Sequence, residues 1–208
     1  MKFISRQYVR AFSLLREARI FLATVTGLFV ISGVVGYLLT ITFPEPFNQF
    51  MNMVRETLME SAIFDNEGNI SAIMLFINNA RAALVGIGQG FMPFVFAPVF
   101  SILLNGSLIG IVLGFQGNGG ASVPLLFLTG IMPHGVFELP ALIISWATGM
   151  FLCYSMIKLI FGKIDGDGFF ELLKRTAAVY CCLVIPLLII AAAVEANLTP
   201  MIMEAVLG

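Results

Sequence analysis

Apolar residues run along this chain in long uninterrupted blocks, with no polar face recurring every third or fourth position. A helix that is apolar all round is one surrounded by apolar matter, in a core or in lipid. Five blocks read as membrane-crossing helices, at residues 20–43, 72–93, 95–115, 134–158 and 177–196. Each approaches the roughly 20 residues needed to cross about 30 Å of hydrocarbon. The prediction is an all-α fold, a polytopic transmembrane helical bundle of about five spans forming a single membrane domain over 1–208.

Two polar stretches separate the blocks. Residues 44–71 carry Glu45, Glu56, Glu60, Asp65 and Glu67 against a lone Arg55, and they include a short amphipathic helix predicted over 47–63. Residues 159–176 hold Lys163, Lys174, Arg175 and the turn-like run Asp165-Gly166-Asp167-Gly168, so they read as a linker. Two further segments strain the pattern. The turn Phe91 to Pro98 has no polar residue to face water, and it reads as buried or interfacial. The apolar segment 121–132, between a glycine-rich turn and Pro133, is too short to cross and reads as a half-helix or re-entrant piece. Pro133 suits the first turn of the fourth span, while Pro140 should kink it.

Composition strengthens the membrane reading. Of 208 residues, 59% are hydrophobic and 11% charged, with a mean hydropathy of +0.99, too little polar surface to coat a soluble globule. A net charge of −1 is uninformative, but its distribution sets an orientation. Residues 1–19 hold Lys2, Arg6, Arg10, Arg16 and Arg19 against Glu17, which predicts a cytoplasmic amino terminus. The acidic stretch 44–71 then falls outside, the basic linker 159–176 inside, and the carboxyl terminus outside. The 24 apolar residues from Ile20 to Phe43 exceed a signal-peptide core, so this block is expected to remain as an anchor in the cell membrane. Cys153, Cys181 and Cys182 fall in or near spans, which implies no disulfide framework.

The candidate functional residues are the polar ones inside the apolar blocks. Between Ala72 and Ile157, 86 residues contain only two formally charged side chains, Arg81 and Glu138. His134, the only histidine, precedes Glu138 by one helical turn and so shares its face. Asn78 and Asn79 flank Arg81, and Asn105 falls within the third span. A charge near mid-bilayer costs at least about 2.5–3.5 kcal/mol. Pairing of Arg81 with Glu138, completed by His134 and the asparagines, is therefore expected. Such a cluster either clips helices together or forms a working site, and the residue types alone leave both open. Gly86 with Gly90, and Gly106 with Gly110 and Gly114, are spaced for close helix contact, within one chain or in a homodimer.

Enzyme signatures are absent from the sequence. His134 and Glu138 are weak candidates for a metal, without the second histidine of a His-Glu-x-x-His site. No nucleophile elbow, phosphate-cradling loop or aromatic-studded basic patch for nucleic acid occurs. The reading is of a non-enzyme with no catalytic residues, no cofactor and no nucleic-acid partner, its immediate surroundings being the lipid bilayer.

The string Pro133-His134-Gly135-Val136-Phe137-Glu138-Leu139-Pro140-Ala141, with Asn78-Asn79-x-Arg81 and Asn105-Gly106 before it, resembles the signature of the stage II sporulation protein M family. The resemblance extends over roughly Arg16 to Ala196. It implies a multi-pass, non-enzymatic membrane protein that in spore formers anchors the peptidoglycan-remodelling machinery of engulfment. Two functions are then expected in competition. One is a scaffold recruiting protein partners in the membrane or outside the cytoplasm. The other is a transporter, channel or lipid-handling protein using Asn78, Asn79, Arg81, Asn105, His134 and Glu138. The scaffold is favoured because no inverted repeat is visible.

Overall fold

A computed structural model describes residues 2–59, 71–199, 201, 202 and 205. Seven helices account for most of these: α1 (Lys2–Glu17), α2 (Arg19–Thr42), α3 (Pro44–Met59), α4 (Ala72–Gly88), α5 (Pro98–Asn118), α6 (Val123–Ile160) and α7 (Gly166–Leu198). The all-α architecture read from the sequence is observed. Among the described residues, α2, α5, α6 and α7 are long and apolar enough to cross a membrane. The predicted block 72–93 instead folds as the 17 residues of α4 followed by the 3₁₀ turn Gln89–Phe91. At about 1.5 Å per residue α4 reaches about 26 Å, at the lower limit for a crossing.

The chain divides into two compact units. The first comprises Met1–Gly27, Asn79–Ile102 and Glu138–Leu188; the second comprises Leu28–Asn78, Leu103–Phe137 and Ile189–Gly208.

Two predicted boundaries change for identifiable reasons. Segment 121–132, expected as a half-helix or re-entrant piece, is instead the beginning of α6, which runs unbroken to Ile160. Pro124, not Pro133, takes the first-turn position where a missing amide hydrogen does no harm. Pro133 is accommodated by a π turn, Phe127–Ile131, just before it. A wider turn relieves the clash between a proline ring and the carbonyl four residues back. The pattern recurs in α7, where the π turn Tyr180–Val184 precedes Pro186. The linker 159–176 also shortens, because α7 begins at Gly166. Asp165 caps it, its carboxylate accepting from the Gly168 amide at 2.8 Å.

In the first unit, α1 packs on the start of α7; Ala11 and Leu14 of α1, on one helical face, and Phe169, Leu172 and Val179 of α7 are buried. A fork of hydrogen bonds from Arg175 to Glu17, at 2.7 and 3.2 Å, crosses the edge of this contact. Arg10 reaches Glu171 at 3.6 Å beside it. Glu17 is more than half exposed. Arg175→Gln should therefore cost no more than about 1 kcal/mol, or about 2–4 °C in melting temperature, and less in high salt. Thermal unfolding of both proteins at two salt concentrations checks this; a salt-independent loss would contradict it.

The apolar turn after α4 is not covered by protein. Phe91, Met92, Phe94, Val95 and Phe96 are all exposed, so the described residues do not bury this turn. Phe94 and Phe96 adopt positive φ of 70° and 48°, strained for aromatic residues. The Phe94 ring meets Phe161 edge to face at 6.4 Å, and the Cys153 thiol points at the Met92 carbonyl at 3.6 Å.

The amphipathic helix predicted over 47–63 is observed as α3, beginning earlier, at Pro44. Its expected end, together with Glu60, Asp65, Glu67 and Glu204, lies outside the described residues.

Candidate functional site

The six polar residues singled out from the sequence divide between the units: Asn79, Arg81 and Glu138 in the first, Asn78, Asn105 and His134 in the second. Asn78 and Arg81 are exposed on α4, and Asn79 is half-buried. Asn105 on α5 borders a shallow groove of about 220 Å³ with Phe50, Leu104, Ser107, Leu108 and Ile111. His134 and Glu138 are both half-buried and one turn apart on α6.

Among the described residues, the expected ion pair between Arg81 and Glu138 is not found. Ion pairs among the described residues join Arg10 and Lys174 to Glu171, and Arg175 to Glu17. Arg81 sits on a face of α4 that the described residues leave exposed, whereas Glu138 is half-buried on α6.

His134 has a different neighbour. Glu195, half-buried on α7, offers a ligand atom within 4.8 Å of one on the histidine ring. Thr199, one turn beyond Glu195, places its hydroxyl 3.5 Å from His134 Nδ1. The same hydroxyl also lies 3.4 Å from the Val194 carbonyl, to which it donates. Glu195 stands in the π turn Val194–Leu198. Sequence reasoning singles out neither residue, although Glu195 lies within the predicted block 177–196. The nearest signal was that Glu195 and Thr199, four apart, share one helical face just as His134 and Glu138 do.

The other short-range polar side chains serve the helices themselves. The hydroxyls of Thr26, Thr40, Thr42, Thr129, Ser145 and Thr148 donate to the carbonyl four residues back at 2.7–2.9 Å. That satisfies a hydroxyl without a partner helix. Others join elements over longer range: Tyr180 donates to the Ala80 carbonyl at 2.9 Å, Asn118 to the Thr40 carbonyl at 3.2 Å, and the Gln89 amide pairs with the Ser101 hydroxyl at 2.8 and 3.0 Å.

Glycines set the closest approaches. In the second unit, Gly33 and Gly36 of α2 face Gly106, Gly110 and Gly114 of α5, so near that a β-carbon on Gly36 would fall 3.0 Å from the Ser107 Cα. In the first unit, Gly86 of α4 and Gly90 of the 3₁₀ turn after it face Gly149 and Trp146 of α6. The small-residue spacing predicted for helix contact is used within the chain.

The residue strings and the helices now have an independent comparison. No curated protein and no solved structure matches the chain. The family model for stage II sporulation protein M matches residues 25–200, which take in α3, α4, α5, α6, the polar strings around Asn78, Asn105 and His134, and the Glu195 turn. With most of its length so matched, and with apolar helices long enough to cross a bilayer, the chain belongs to the stage II sporulation protein M family.

Proposed function

We propose that this protein is a non-enzymatic membrane scaffold, inserted with its amino terminus in the cytoplasm and its carboxyl terminus outside, that holds a partner complex at the bilayer. In a spore former the family points to the peptidoglycan-remodelling machinery of engulfment. The observation that carries this reading is the backbone-to-backbone contact of α2 with α5 through glycines. Helices closed to that distance leave no passage along their seam, and they make a stiff body suited to anchoring. Beyond the body, α1 offers a surface to others: Phe3, Val9 and Phe12 are more than half exposed alongside Arg6 and Arg16.

A second reading, ion or headgroup handling, is favoured by one observation, the approach of Glu195 to His134. One pair of assays separates the two. Photo-crosslinking side chains placed at Phe3 and Val9 on α1, or at Phe50 and Met53 on α3, should yield a discrete protein adduct in native membranes. Charge reversal within the same segment should abolish it, and reconstituted vesicles should show no flux above lipid alone. Adducts to lipid only, with a flux that His134→Ala removes, would overturn the scaffold.

A further inference from the structure

Within the first unit, α1 packs on α7 from the start of that helix through the π turn Tyr180–Val184. A groove of about 480 Å³ runs along this seam. Side-chain size opens it. Ala177 and Ala178, followed by Cys181 and Cys182 on the π turn, make a low floor, and Phe3 and Ile4 of α1 form an apolar wall. The polar lining comes from Gln7, Arg10 and Lys174. Phe3, Gln7 and Arg10 recur at spacings of four and three, so one face of α1 supplies both apolar and charged lining.

The charged end of the groove is positive. Glu171 meets both cations, Arg10 at 3.6 Å and Lys174 at 3.2 Å, and the Lys174 Nζ also lies 4.7 Å from the centre of the Phe170 ring. Two cations against one carboxylate leave one positive charge, since Arg175 is engaged with Glu17. The Arg10 and Lys174 side chains are 41% and 47% exposed, and each has more N–H donors than Glu171 can occupy, so an incoming anion finds free hydrogens. Along α7 the order is fixed by sequence: Lys174 comes first, and Cys182 lies about 12 Å further along the axis. The groove is therefore cationic at one level and apolar for two turns beyond it.

We propose that this groove binds one anionic phospholipid, its phosphate on Arg10 and Lys174 and an acyl chain along the floor from Ala177 to Cys182. One negative charge neutralises the cluster, and basic pockets between membrane helices recognise acidic headgroups in this way. The volume falls in the range of about 300–1,000 Å³ usual for small-molecule sites. The floor belongs to a helix long and apolar enough to cross a membrane, where lipid is the surrounding solvent. A peptide would have to lay its polar backbone against alanine and thiol side chains, at a cost a hydrocarbon chain does not meet. The site is separate from the scaffold reading. Val9, two positions beyond Gln7, points to the opposite side of α1, so a protein bound there and a lipid in the groove are distinct events.

The test uses the full chain in micelles supplied with dioleoyl phosphatidylglycerol, dioleoyl phosphatidylcholine or inorganic phosphate. Native mass spectrometry should retain one phosphatidylglycerol per chain and no phosphatidylcholine, and the melting temperature should rise with phosphatidylglycerol alone. Arg10→Gln and Lys174→Gln should each weaken retention about fivefold. Ala177→Leu, which fills the floor and leaves both cations in place, should abolish it. In a Cys182→Ser background, phosphatidylglycerol should also slow modification of the exposed Cys181 by a maleimide, Cys153 being buried. Lys174 is an exposed side chain, so Lys174→Gln decides if another variant fails to fold. Equal retention of the two lipids, an equal response to inorganic phosphate, or phosphatidylglycerol retention unchanged by Lys174→Gln and Ala177→Leu would overturn the proposal. So would protection of Cys181 by a bound protein or a second copy with no lipid retained.

Discussion

Replacing Gly110 by valine should part α2 from α5 and cost about 3 kcal/mol or more, one of the largest single-residue effects in this protein. A β-carbon at Gly110 would overlap the Gly33 carbonyl and come 2.7 Å from the Tyr37 amide nitrogen. Both are backbone atoms of α2. A side chain could rotate aside, but a helix can only translate as a whole. Separation at Gly110 then loosens the neighbouring steps: Gly106 against Phe29, and Gly114 against Thr40, whose β-carbon a methyl there would approach to 2.8 Å. Thr40 is fully buried, and its carbonyl accepts from Asn118 at 3.2 Å, a bond that separation would also stretch. By the usual scaling for a chain of this size, the melting temperature should fall by about 6–12 °C. Gly110→Ala should fall part of the way. The control is Gly27→Ala on the same helix α2, where nothing lies within 4 Å of the new carbon. There the better helix propensity of alanine should leave stability equal or slightly higher. Equal melting temperatures for Gly110→Val and Gly27→Ala would show that the two helices are not held by this seam.

That seam was legible in part. The spacing of Gly106, Gly110 and Gly114 announces a close contact, because in lipid, where burial drives nothing, helices adhere by proximity. Which helix meets them is a long-range fact that no local spacing carries. The spans themselves were plain because lipid on every side removes the need for periodicity, and α2 and α5 fall within a few residues of their predicted limits. Helix ends were harder. Asp165-Gly166-Asp167-Gly168 has the composition of a loop, yet Asp165 is a cap, and two glycines do not stop a helix whose next residues pack against α1. Proline misled for a related reason: Pro133 reads as a helix start only if no π turn precedes it, and the sequence gives no sign of that turn. The site shows the same division. His134 and Glu138 are neighbours by helical arithmetic and were found, whereas Glu195 comes from another helix. Arg81 is assigned a partner because charge in lipid demands one, but which face of α4 other helices cover is a long-range fact, and the described residues leave Arg81 uncovered.

The second large effect should appear at Trp146, the chain's single tryptophan and almost wholly buried in the first unit. A β-carbon on Gly86 would come within 2.6 Å of the indole Cδ1 and 2.9 Å of Nε1. The ring has little room to yield, because Gly149, on the next turn of α6, already brings its backbone against the Gly86 carbonyl. Gly86→Leu alone should therefore cost about 2–3 kcal/mol by overpacking. Trp146→Ala alone should cost about 3–5 kcal/mol by leaving a cavity. Combined, the leucine occupies space the indole has vacated, so the double variant should be more stable than the sum of the two losses implies, by about 1–2 kcal/mol. Thermal unfolding of all four proteins in one detergent gives the cycle. The parent and Gly86→Leu can also be compared by tryptophan emission, which in this chain reports on one ring alone, and the substitution should shift it to the red as the indole is forced outward. Strict additivity with unshifted emission would mean that α4 and α6 do not meet at Gly86, and that the first unit is held by α1 and α7 instead.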